Sequence, residues 1–111
     1  MKALSRTPVL YSAAALCLVG CLAGPARADE AAVERGEALS RQLCAVCHLV
    51  GETASGGSDA VPTFHAIANT PDMTEGRIRG FIYNPHPQMP SLQLPENQID
   101  DIVAYIRSLA E

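Results

Sequence analysis

Basic side chains are scarce in this chain of 111 residues, and lysine does not occur after Lys2. Residues 29–111 hold five arginines against twelve acidic residues, which gives this segment a formal net charge of −7. Such a charge repels phosphate backbones and anionic lipids, so nucleic acid and anionic membrane surfaces are excluded as the expected partners. It favours either a protein partner that is basic near its docking site or general solubility.

Other features are also missing after residue 28. No apolar run there is long enough to cross a membrane, so no transmembrane span is expected in that segment. No run of alternating polar and apolar residues predicts a strand, and no internal repeat is present. Only Cys44 and Cys47 remain of the four cysteines. The 83 residues from Asp29 onward are expected to form a single domain.

The first 28 residues have the pattern of a secretory signal peptide. A basic start is followed by a mostly apolar stretch, residues 9–22, which is too short to span a bilayer comfortably. Ala26-Arg27-Ala28 then offers an A-x-A cleavage site. We therefore expect residues 1–28 to be a signal peptide and residues 29–111 to be an exported, periplasmic domain.

An alternative processing site lies inside the same region. Leu18-Val19-Gly20-Cys21 resembles a bacterial lipobox, which would make Cys21 a lipid-bearing N-terminus. Otherwise Cys21, like Cys17, is a small apolar residue of the signal. The A-x-A site beside an acidic mature start is the interpretation that we prefer, and a lipid anchor at Cys21 stays open.

The run Cys44-Ala45-Val46-Cys47-His48 has the C-x-x-C-H spacing of a covalent attachment site for c-type haem. On a helix, Cys44, Cys47 and His48 lie at i, i+3 and i+4 and therefore share one face. Two thiols on one face can form thioethers with the two vinyl groups of one porphyrin, and the imidazole can then bind the iron from the proximal side. The run predicts one covalent haem c with His48 as an iron ligand.

Two other kinds of site would use the same cysteines. A redox disulfide does not need the adjoining histidine and usually lies in a βαβ pattern, which is absent here. A zinc site would need two more ligands at short spacing, but His65 and His86 are far apart, against a usual spacing of about three to five residues. With both sulfurs bound to haem, no thiol of the exported domain is left for a disulfide. A domain of this size has a small core, and a buried haem would supply the missing apolar part.

Helical patterns cover most of the exported domain. We predict helical segments over residues 30–44, 64–69, 75–83 and 96–109. Residues 51–63 are rich in Gly, Ser and Thr, and residues 84–95 hold four prolines, so both are expected to be irregular. Thr74 is placed to cap the third segment, and Pro95 suits the first turn of the last. The residues of the last helix expected to face outward are Asp100, Asp101 and Arg107.

The order of these features resembles that of the class I c-type cytochromes. A first helix runs into the C-x-x-C-H motif, a proline loop with Met89-Pro90 follows, and a last helix ends the chain. The resemblance implies an all-α cytochrome c fold, in which three to four helices surround one covalently bound haem and the first and last helices cross. The family places a glycine and an aromatic residue in close contact at that crossing, and Gly36 and Tyr105 stand at those positions. Glycine permits the approach because it has no side chain.

Met89 is the expected second axial ligand of the iron. The family places its axial methionine just before a proline ahead of the last helix, as here. A thioether favours ferrous iron and raises the reduction potential relative to two imidazoles. The flanking prolines stiffen the loop, so little entropy is lost on ligation. His86 is the main rival, and Met73 and His65 are less plausible ones.

The family also supplies a proline carbonyl to the proximal histidine from a Pro-x-Leu-like segment. Pro62-Thr63-Phe64 resembles that segment, with phenylalanine replacing the aliphatic residue. The resemblance therefore assigns the carbonyl of Pro62 to His48, whose tautomer and orientation it would fix. The candidates for the haem wall are Phe64, Phe81, Ile82 and Leu94.

These features together predict an exported monohaem cytochrome, monomeric, that carries single electrons between a redox protein donor and acceptor. Two axial ligands leave the iron no open position for a substrate, so an electron carrier is expected rather than an enzyme. Two alternatives stay open. One is a haem subunit fixed to a dehydrogenase or oxidase complex, and the other is a haem enzyme in which Met89 opens the iron to peroxide or a small gas.

Overall fold

The computed structural model of the chain describes residues 25–52, 57 and 60–111. The predicted basic start and apolar stretch of the signal peptide, with Cys17 and Cys21, lie outside the described residues.

Four helices make up the regular structure of the described part of the chain, and no strand occurs there. They are α1 (Pro25–Leu43), α2 (Phe64–Ala68), α3 (Glu75–Tyr83) and α4 (Glu96–Ser108). The predicted all-α fold is therefore confirmed. None of these helices is long and apolar enough to span a membrane.

The helix bounds differ from the predicted ones by a few residues. α1 begins at Pro25 rather than at residue 30, because proline suits a first helical turn, and it passes the expected cleavage point after Ala28 without a break. Thr74 caps α3 as predicted, since its hydroxyl accepts the N–H of Arg77 at 3.3 Å. Pro95 is the N-cap of α4 rather than part of its first turn, and its carbonyl accepts two backbone N–H groups of that turn.

The first and last helices cross at Gly36 of α1. A Cβ atom added there would lie 2.8 Å from Cβ of Tyr105 and would overlap the carbonyl oxygen of Asp101. Only glycine lets two backbones approach this far, because any other residue would place a carbon atom in that space. The expected contact between Gly36 and Tyr105 is confirmed, and the backbone of α4 at Asp101 lies closer still.

The outward position expected for Asp101 is wrong. Its side chain is buried beside the crossing, where its carboxylate oxygens accept hydrogen bonds from Nε and Nη2 of Arg35, each at 2.8 Å. Helical period assigns Asp101 to the polar face of α4, but it does not show that α1 covers that part of the face. The pairing compensates the buried carboxylate, and its hydrogen bonds raise the pKa of Arg35.

The core lies along the apolar face of α4. The predicted residues Ile99, Ile102, Val103 and Ile106 are each no more than 4% exposed. Around them pack Val50, Phe64, Ala68, Ile78, Ile82 and Tyr105. Because α4 contacts each of the other three helices, it is the element against which the rest of the domain is placed.

Replacing Gly36 with alanine is expected to lower the free energy of unfolding by about 1–3 kcal/mol or more, because the methyl group must displace the backbone of α4. Gly80 is a matched control on α3, since nothing lies within 4 Å of a Cβ added there. Gly80→Ala should raise the free energy of unfolding by about 0.5–1 kcal/mol. Guanidinium unfolding followed by far-UV circular dichroism measures both, and equal effects would contradict the tight crossing.

Candidate functional site

The C-x-x-C-H motif continues the helical course of α1 past its end at Leu43. The N–H of Cys44 donates to the carbonyl of Ser40 at 2.8 Å, and the N–H of His48 donates to the carbonyl of Cys44 at 2.9 Å. Cys44 is half-buried and His48 is buried, whereas Cys47 is exposed. The three side chains therefore lie within one helical turn that passes from the protein surface to its interior.

A cavity of about 230 Å³ lies beside this turn. Cys44 and His48 line it from the motif, and its other walls come from residues 62–73, α3, residues 84–95 and α4. Most of its lining is hydrocarbon and sulfur, which suits an apolar ligand. The predicted wall residues Phe64, Phe81, Ile82 and Leu94 all line this cavity.

The imidazole of His48 is held by the chain on one side. Its Nδ1 atom lies 2.8 Å from the carbonyl oxygen of Pro62. A carbonyl oxygen can only accept, so Nδ1 carries the proton and donates it. The lone pair is then on Nε2, which is the state that a histidine needs in order to bind a metal ion.

The two residues after His48 are anchored as well. The carbonyl of Leu49 accepts the N–H of Phe64 at 3.0 Å, and the carbonyl of Val50 accepts the hydroxyl of Tyr105 at 2.9 Å. The ring of Phe64 lies between those of His48 and Tyr105, with centroid distances of 5.5 Å and 6.3 Å. This set of contacts, which we call the proximal brace, joins the motif to the segment beginning at Pro62 and to α4.

The role of the Tyr105 hydroxyl is a site feature that the sequence interpretation missed. A tyrosine among the apolar positions of a helix indicates such a hydrogen bond, because a buried hydroxyl usually finds a hydrogen-bond partner. The identity of the partner could not be read from spacing, since Val50 is distant in the chain. Burial of the phenol is the main cause that raises the pKa of Tyr105, and the negative charge of Glu37 raises it further.

Two residues of the proline loop, His86 and Met89, line the same cavity as His48. The N–H of Met89 donates to the carbonyl of His86 at 2.9 Å and closes a turn between them. Met73 also lines the cavity, whereas His65 lies outside it with Nε2 3.3 Å from a carboxylate oxygen of Glu111. The structure therefore brings Met89 and two of its three rivals to one place.

Burial raises the pKa of the Cys44 thiol to about 11. The free thiol is therefore protonated at neutral pH, and a neutral thioether suits the same surroundings. Among the described residues, no three His, Cys, Asp or Glu side chains form a group that could hold a metal ion. An apolar cavity with a half-buried thiol, an imidazole with a free Nε2 and a thioether on its walls fits haem c better than it fits a bare ion.

Two comparisons with known proteins agree with this site. Residues 31–106 match the family described as cytochrome c oxidase, cbb3-type, subunit III. Over 95 residues the chain is 37% identical to Cytochrome c-552 from Bradyrhizobium diazoefficiens. The aligned region covers 85% of this chain and 91% of that protein. No solved structure gives a significant match.

Tyr105→Phe is expected to lower the free energy of unfolding by about 1–2 kcal/mol, because it leaves the buried carbonyl of Val50 without its donor. Tyr83→Phe is the matched control, since Tyr83 is 51% exposed, and it should change stability by less than about 0.5 kcal/mol.

The raised pKa of Tyr105 means that the fold favours the protonated phenol. Stability of the parent protein should therefore fall as the pH rises above the ordinary tyrosine pKa of about 10, and Tyr105→Phe should remove that part of the fall. Urea unfolding at several pH values measures both effects, and equal losses in the two variants would argue against the bond.

Proposed function

We propose that this chain shuttles single electrons between two redox proteins. The chain belongs to the family of cbb3-type cytochrome c oxidase subunit III and is a small class I c-type cytochrome. As a c-type cytochrome it is an electron carrier rather than an enzyme. Its covalently bound haem c supplies an iron centre that gains and loses one electron.

The residues that would hold the haem follow from the cavity and its donors. Cys44 and Cys47 would form the thioethers, His48 would bind the iron through Nε2, and Met89 would bind it through sulfur. The observation that carries this assignment is that His48 and Met89 line one apolar cavity while Pro62 occupies Nδ1 of His48. The carbonyl of Pro62 would keep the imidazole in the ligating tautomer through both oxidation states.

An electron carrier differs from a haem enzyme in that its iron has no open position for a substrate. His48 and Met89 would both bind the iron and leave no position for a substrate, and the apolar walls would keep water and small polar molecules away from it. The oxidised protein should show a sulfur-to-iron charge-transfer band that persists when cyanide is added, and the reduced protein should resist carbon monoxide. Prompt binding of cyanide and carbon monoxide would favour the enzyme instead.

Met89→Ala is expected to abolish the charge-transfer band and to lower the reduction potential, because the thioether favours ferrous iron. The change should be a fraction of the roughly 0.8 V range that axial ligands span. Met73→Leu is the matched control, since Met73 lines the same cavity but lies outside the proline loop. Spectroelectrochemical titration of both variants gives the potentials, and loss of the band in Met73→Leu alone would move the ligand to Met73.

A subunit fixed to a larger complex is the second candidate, because the description of the matched family names an oxidase subunit. We favour the free shuttle because the alignment covers 91% of Cytochrome c-552, a relative of similar size. Membranes and periplasmic extract can be prepared from cells at low salt. A shuttle is expected in the extract, whereas a haem band that stays with a membrane complex through a high-salt wash would support the subunit.

We also propose export to the periplasm with removal of residues 1–28. The sequence pattern of that region supports export, and covalent attachment of haem c to Cys44 and Cys47 would follow it. Intact mass spectrometry of the native protein should give a chain that begins at Asp29 and carries one haem. A mass that matches a diacylated or triacylated chain beginning at Cys21 would replace the soluble form with a lipoprotein, and bare thiols at Cys44 and Cys47 would refute the haem assignment.

A further inference from the structure

The cavity wall holds a second imidazole that the proposed electron carrier does not use. His86 lies on the same loop as Met89 and lines the same cavity. The hydrogen bond from the N–H of Met89 to the carbonyl of His86 places the two side chains in one turn.

His86 is exposed, whereas His48 is buried. Nδ1 of His86 nevertheless faces an acceptor, because it lies 3.3 Å from the amide oxygen Oε1 of Gln88, while Nδ1 of His48 lies 2.8 Å from the carbonyl of Pro62. An amide oxygen accepts, so Nδ1 of His86 carries the proton and Nε2 carries the lone pair. This contact favours for His86 the same tautomer as for His48, in which Nε2 can bind a metal ion.

The chemistry of the two donors on the loop differs. A thioether is soft and favours ferrous iron, whereas an imidazole binds iron well and lowers the reduction potential relative to a thioether. A ligand tethered three residues away also competes at a high effective concentration. Loss of the thioether would therefore leave an imidazole next to the vacated position.

We propose that His86 is a reserve axial ligand, whose Nε2 binds the haem iron when the Met89 thioether leaves it. This inference rests on the proposed function, in which Met89 is the resting ligand. The exchange replaces one sulfur–iron bond with one nitrogen–iron bond, and it moves no proton because Nε2 already carries a lone pair. The exchanged site stays closed to small molecules and works at a lower potential.

The test compares oxidised holoprotein of the parent, Met89→Ala, His86→Ala and the double variant Met89→Ala/His86→Ala. Electron paramagnetic resonance gives the spin state, and stopped-flow mixing gives the rate of cyanide binding. Met89→Ala should stay low-spin without the sulfur-to-iron band, and the double variant should become high-spin. Cyanide should bind to the double variant at least about tenfold faster than to Met89→Ala.

His65 supplies the matched control because it lies outside the cavity. Met89→Ala/His65→Ala should keep the low-spin signal of Met89→Ala, and this signal should not depend on protein concentration. Added imidazole should return the double variant Met89→Ala/His86→Ala to the low-spin state, which shows that its haem site has kept its fold. A high-spin Met89→Ala that binds cyanide as fast as the double variant would overturn the reserve role.

The outcomes for the resting ligand are distinct from those for the reserve ligand. A high-spin Met89→Ala beside a parent with a normal sulfur-to-iron band refutes only the reserve role. A parent without that band, whose iron opens in His86→Ala, would make His86 the resting ligand and refute both proposals. Persistence of the band in Met89→Ala would also refute both, because the sulfur would then come from Met73.

Discussion

The backbones of α1 and α4 approach each other at Gly36 more closely than any side chain would permit. This approach fixes where Tyr105 lies, and the hydroxyl of Tyr105 in turn holds the carbonyl of Val50, two residues after His48. Because buried polar groups must be paired, the position of α4 constrains the backbone that carries the imidazole. The same approach buries Asp101 and so requires Arg35 on α1. The crossing of two helices therefore constrains the side of the candidate haem site that carries His48.

The two sides of the cavity differ in how firmly they are held. On the side of His48, Nδ1 of the imidazole is hydrogen-bonded to Pro62. In the proximal brace, the carbonyls of the next two residues accept hydrogen bonds, and the ring of Phe64 packs between those of His48 and Tyr105. On the side of Met89, the bonds described within the loop join near neighbours in the chain. They are the backbone bonds of Met89 to His86 and of Leu94 to Leu92 and the exposed contact of His86 with Gln88. In the proposed site, rigidity on one side would preserve the His48 ligand through oxidation and reduction. The less constrained side is where the ligand, and with it the potential, could change.

The sequence predicted those features whose cause is local. The C-x-x-C-H spacing identified the haem motif, hydroxyl chemistry identified the cap at Thr74, and helical period identified the apolar face of α4. The contact of Gly36 with Tyr105 and the choice of Pro62 came from family resemblance, because residues far apart in the chain carry no spacing signal. Asp101 shows the physical limit. Its burial depends on a guanidinium from another helix, and no property of its neighbours in sequence reveals that contact.

The acidic surplus of the domain has consequences outside the cavity rather than in it. Arg35, Arg41 and Arg79 each pair with a carboxylate, and Arg77 and Arg107 donate to backbone carbonyls. Among the described residues, no carboxylate lines the cavity, so the acidic charges there would not neutralise or tune a bound iron at close range. Acidic charges would act at a distance instead, where they would raise the rate of encounter with a basic partner and be weakened by salt. A carrier that must release its partner after each electron gains from this arrangement, because long-range attraction speeds association without adding contacts that slow dissociation.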